Sequence, residues 1–188
     1  ADTMDYLAYA WEIFKKHPLE WLLMGLVVPI IPFNFLLFPN VYRITSKSMA
    51  SGVAPELGQL FDFDTLGDDA VGVFLVNAVI SAAMACCVLP GLYAIPVLIW
   101  VTHLLADRRY GPVEALKASF AHGKDNFGLI LGTMLSITVP LIFVALFTCG
   151  LGMVVALPVL WIAYQKFFED HRAAIYAVGD AEGIPRRA

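Results

Sequence analysis

The sequence predicts an all-α fold, that of a polytopic helical membrane protein, and three observations carry the prediction. Ala70 to Ala106 runs for 37 residues without an Asp, Glu, Lys or Arg. A second apolar run extends from Phe127 to Leu160 and on to Tyr164. The chain of 188 residues is 60% apolar and only 15% charged, against about 25% charge in soluble domains. An α-helix rises about 1.5 Å per residue and the hydrocarbon layer is about 30 Å thick, so roughly 20 residues make one crossing. Each run is therefore long enough for two.

Thr3 to Lys16 places Tyr6, Ala10, Ile13 and Phe14 on one helical face and Asp5, Glu12, Lys15 and Lys16 on others, with Thr3 as the N-cap. Two readings stand: an amphipathic helix on the membrane surface, or one packed on the protein's own loops. His17-Pro18 ends it, because the residue before proline avoids helical angles. The region 19–51 is apolar at first but carries Pro29, Pro32 and Asn34. It reads either as one kinked span, giving five spans in all, or as a third hairpin with arms at about Leu19 to Val28 and Phe33 to Ser51. The first arm of such a hairpin is only about 15 Å long, which makes it re-entrant and in need of cover from other helices.

Residues 53–69 read as a polar loop, with Pro55, Gly58 and Gly67 as breakers and the apolar Leu57, Leu60, Phe61 and Phe63 either docking it on the protein as a short interfacial helix, the leading reading, or forming a partner's footprint. The hairpin 70–105 is expected to turn at Leu89-Pro90-Gly91, with arms Ala70 to Val88 and Leu92 to Leu105. Pro112 suits the first turn of a second amphipathic helix, 112–122, in which Val113, Leu116 and Phe120 form the apolar face and Gly123 is the stop. The last hairpin, 127–168, is expected to break at Thr148 to Gly152, leaving 169–188 as an exposed charged tail. All of this makes a single membrane domain over 1–188.

Lysine and arginine concentrate in short cytoplasmic loops. None of the twelve in this chain lies at either long hairpin's tip. Three hairpins put all twelve in the cytoplasm, together with the C-terminus, whereas five spans put Lys15 and Lys16 outside. No basic, apolar and small-residue leader pattern opens the sequence, so the spans themselves are expected to direct insertion. A formal charge of −4 without a basic tract excludes nucleic acid as an expected partner. Cys86, Cys87 and Cys149 read as free thiols packed as small apolar groups.

Ionisable groups in hydrocarbon are costly and so attract functional readings. His103 and Asp107, four residues apart, share a helical face and offer a proton relay or an ion site; the alternative is a neutral interfacial histidine bonded to Asp107 or a headgroup. Asn77 and Ser81, one turn apart, could line a polar cavity or bond a neighbouring helix. Gly128, Gly132 and Ser136 recur every fourth residue and form a face that another helix can approach closely, from within the chain or from a partner. Asp62, Asp64, Asp68 and Asp69 form an acidic cluster, read as a solvated loop before a cation site. His17, His122 and His171 sit apart without metal-ligand spacing, and no hydrolase, zincin or P-loop motif is present. No catalytic residue, metal or cofactor is expected.

The run Ala10-Trp-Glu-Ile-Phe-Lys-Lys-His-Pro18, Gly58-Gln-Leu-Phe61, Leu89-Pro-Gly-Leu-Tyr93 and Gly111-Pro-Val-Glu-Ala-Leu-Lys-Ala-Ser-Phe120, followed by Asn126-Phe127, resemble in their order the YciC-like and glycerophosphodiester phosphodiesterase membrane-domain group of bacterial inner-membrane proteins. The resemblance covers about Tyr9 to Phe168 and implies a membrane domain of helical hairpins in the bacterial cytoplasmic membrane. It brings no reaction with it, and no phosphodiesterase catalytic domain is present. The leading expectation is a non-enzymatic accessory or assembly subunit, with the lipid bilayer and a membrane-protein partner or a second copy as its contacts. A small transporter or lipid-handling protein is the alternative.

Overall fold

The structure, a computed structural model, describes residues 3–31, 34–62, 64, 66–86 and 88–187. Every regular element among them is helical: α1 Thr3–Lys16, α2 Pro18–Ile30, α3 Phe38–Ser51, α4 Leu66–Cys86, α5 Val88–Val97, α6 Val101–Ala106, α7 Pro112–Asp125, α8 Phe127–Phe147 and α9 Met153–Ala181, with 3₁₀ turns at Asn34–Leu37 and Leu57–Phe61. Three stretches are long and apolar enough to cross a membrane: Gly67–Cys86, Leu89–Ala106 and Phe127–Phe147. At 13 residues, α2 is shorter than a crossing. Contacts divide the chain into two compact units, Ala1–Asp62 with Thr133–Phe167, and Phe63–Gly132 with Phe168–Ala188.

In the first unit, α1 buries the face its spacing predicts: Tyr6, Ala10, Ile13 and Phe14 are inside, and Asp5, Glu12, Lys15 and Lys16 are exposed. The Tyr6 ring meets Phe167 edge-on at 5.4 Å, so this face is covered by the protein itself. Trp21, Met24 and Val28 of α2 are buried. Gly25 lets the helix touch α9, since a Cβ there would collide with the Val154 carbonyl and the Pro158 ring. The loop after α3 is docked as expected: Leu60 is fully buried, and the Asn40 side-chain amide donates to the carbonyls of Leu60 and Asp62, 2.9 Å each. Thr138 and Tyr164 share a 2.7 Å hydrogen bond between α8 and α9.

The second unit corrects several boundaries. α4 begins at Leu66, four residues before the expected Ala70, because Asp68 and Asp69 in its first turn complement the positive end of the helix. α4 ends at Cys86 and α5 starts at Val88, so Pro90 and Gly91 lie in the first turn of α5 and not at the break. Proline is tolerated there because those N–H groups have no helical acceptor, and Gly91 lies tight against Met84. The expected arm Leu92 to Leu105 is interrupted at Leu98 to Trp100, just after Pro96, which removes one helical hydrogen bond.

The expected break at Thr148 to Gly152 is where α8 ends and α9 begins, with Cys149 and Gly150 in the left-handed region at φ 52° and 88°. The expected exposed tail is largely helix instead, since α9 continues to Ala181 and buries Ile175 and Tyr176. Its end is tied back: the Arg187 amide donates to the Arg109 carbonyl at 2.7 Å, and the Arg187 side chain pairs with Asp68. Pro32, between the two expected arms, Phe33 at the start of the second arm, the loop residue Phe63, Cys87, and the side chains of Thr3 and Asn34 lie outside the described residues. Cys86 and Cys149 are free and exposed, not packed inside.

Candidate functional site

α7 positions the chemistry of the second unit, and it docks through an unexpected face. Ala115, Ala118, Ser119, Ala121, His122 and Gly123 are buried, whereas Val113 and Phe120 are 45% and 50% exposed. Of the expected apolar face, Val113 and Phe120 therefore point away from the protein core and Leu116 is half-buried. Close approach explains the reversal: the Ser119 hydroxyl donates to the Val97 carbonyl at 2.9 Å, and a Cβ on Gly123 would lie 2.5 Å from the same oxygen. Only small side chains fit against α5 there. Gly123 accordingly sits inside the helix, which runs to Asp125, and is not its stop.

This docking brings together histidines that are 19 and 49 residues apart in sequence. Trp100 meets His103 edge-on at 5.8 Å and stacks with His171 at 6.3 Å. His171 meets His122 at 6.3 Å, and His103 stacks on Phe168 at 5.1 Å. Both ring nitrogens of His122 are buried without a hydrogen-bond partner among the described residues. Burial first, and the neighbouring His171 second, hold the His122 ring below its usual titration range, and Asp125 opposes them. The neutral form is favoured in the folded state.

Asp107 and His103 share one backbone turn, the Asp107 amide donating to the His103 carbonyl at 3.0 Å, but their side chains part. His103 is buried among Trp100 and Phe168, with Nδ1 3.3 Å from the Ile99 carbonyl. The Asp107 carboxylate instead accepts from Tyr176 Oη and, at 3.4 Å, from Arg172. Burial, followed by the bond to Asp107, pushes the Tyr176 hydroxyl well above its ordinary range, so it remains a donor. Arg186 lies over the Tyr176 ring at 4.6 Å and Arg109 at 5.7 Å. An open cavity of about 370 Å³ is lined by Arg109, Glu169, Arg172, Ala173 and Tyr176. Chemically this is a clamp joining α6 to α9, with its carboxylate engaged by two donors.

Asn77 and Ser81 are exposed on α4, and the Asn77 amide donates to Val73, one turn back, at 2.8 Å. His103, by contrast, is buried. Gly128 and Gly132 stand on an open face: a Cβ built on either meets no atom within 4 Å. Ser136 is half-buried further along the same helix. Among the described residues no group of three or more His, Cys, Asp or Glu could hold a metal ion, the acidic cluster included. The Trp100 cluster escaped sequence reasoning because no linear spacing links residues 103, 122 and 171. The one usable signal was the set of small residues Ala115, Ala118, Ser119 and Gly123, which marks a face built for close contact.

No family model matches the chain, and neither a curated protein nor a solved structure is significantly similar to it.

Proposed function

We propose that this protein is an integral membrane protein of hairpin topology that works by contact, as an accessory or assembly subunit of a larger membrane complex. The observation that carries the reading is α8. It is 21 residues long and carries no charged residue, yet only 17% of an 18-residue apolar stretch of it is buried within the chain. Leu135, Ile142, Phe143, Leu146 and Phe147 are exposed on it. In a bilayer, apolar exposure alone does not draw helices together, and small residues that admit a second backbone do. The open face at Gly128 is such a place, with room for a helix from outside the chain. The YciC-like resemblance and the cytoplasmic side for the cationic loops and C-terminus belong to the same proposal.

The test is the double substitution Gly128→Leu, Gly132→Leu. The side chains enter open space, so the isolated chain should keep its stability in detergent. The particle released from the native membrane by a mild detergent should fall to the mass of the chain alone. A wild-type particle that is already a lone monomer, or a variant whose assembly is unchanged, would overturn the reading.

A further inference from the structure

The outward face of α7 borders a groove that the assembly role leaves unused. Val79 of α4, Tyr93 and Ala94 of α5, and Leu116, Lys117 and Phe120 of α7 line an open cavity of about 230 Å³. Its wall is apolar throughout. Exposed Lys117 therefore contributes its methylene stem and carries its ammonium beyond the groove. The surface changes character here. On the α4 and α5 side the exposed residues include the apolar Leu89, Leu92 and Val79 and no charged group beside the groove; on α7 they include Lys117, Lys124 and Asp125. A groove that runs from an apolar surface to a cation suits a molecule with an apolar chain and an anionic head.

We propose that this groove binds one acyl chain of an anionic phospholipid, whose phosphate rests against the Lys117 ammonium. An extended peptide would bury N–H and C=O groups against a wall that offers no polar partner, which is costly. A helix, about 10 Å across with its side chains, is too wide for a cavity of this size. An acyl chain has no polar group to satisfy, and the phosphate gains a charge-assisted contact at the edge of the layer. This also gives Val113 and Phe120 a cover, the headgroup boundary, that the protein itself does not supply. The inference rests on the membrane reading above.

The test uses the full chain in phosphatidylcholine vesicles doped with a phosphatidylglycerol that bears a diazirine on one acyl chain, or with a phosphatidylcholine bearing the same group. The anionic probe should label Val79, Leu116 and Phe120 about five-fold more than the zwitterionic one. Lys117→Gln should remove that excess, and Val79→Trp, a change at an exposed site, should block the groove to both probes. Equal labelling by the two probes, or an excess that survives Lys117→Gln, overturns the lipid site while leaving the membrane reading intact, provided Leu135 and Ile142 of α8 are labelled. Absence of label on α8 overturns both.

Discussion

α1 and α7 are both 14 residues long, and each is followed after a single residue, His17 or Asn126, by an apolar helix. Their outcomes are opposite. α1 turns Tyr6, Ala10, Ile13 and Phe14 into the first unit, whereas α7 turns Ala115, Ser119 and Gly123 into the second and leaves Val113 and Phe120 outside. An apolar stripe at helical spacing announces only that something apolar covers it. In α1 the protein supplies that cover. In α7 the backbone of α5 comes so close that small residues win the inner face, and the stripe is left for the surroundings.

Breaking the comparison on the α1 side should have the largest effect. Phe14→Ala removes a side chain that is 5% exposed and is expected to cost about 3–5 kcal/mol in a reversible detergent unfolding titration. A cost near zero would show that α1, like α7, relies on lipid. Next comes the inner face of α7. Gly123→Val drives a Cβ toward the Val97 carbonyl and should cost about 1–3 kcal/mol, read by the same titration.

The pH dependence separates the two regions again. Folded His122 resists protonation, while the unfolded residue takes up its proton near the ordinary value of 6.5. Stability is therefore complete above about pH 6.5 and declines as the pH falls from there toward the lower folded value. His122→Asn should flatten that decline relative to the wild type, with His171 and Asp125 as the neighbours that set it. Identical profiles for the two proteins would reject the assignment. The smallest effect is expected at Phe120→Ala, within about 0.5 kcal/mol in detergent, because the side chain is half exposed. A loss as large as that of Phe14→Ala would erase the contrast.

Much of the chain was legible before folding. The uncharged runs of about twenty residues, the turn around Cys149 and Gly150, and the inner face of α1 follow from hydropathy, chain length and local backbone preference, all of which act over a few neighbouring residues. So does the start of α7 at Pro112. The tertiary structure decided what local rules leave open: which face of α7 is inside, that Pro90 lies in the first turn of α5 and not at the break between helices, and that 169–181 continues α9. It also decided that Asp107 turns from His103 to Tyr176 and Arg172, and that His103 and His171 gather around Trp100 with His122 against His171. Periodicity marks a face as apolar or small. Whether lipid, another helix or the chain's own core covers that face depends on distances between backbones that are far apart in sequence, and those arise only when the helices pack.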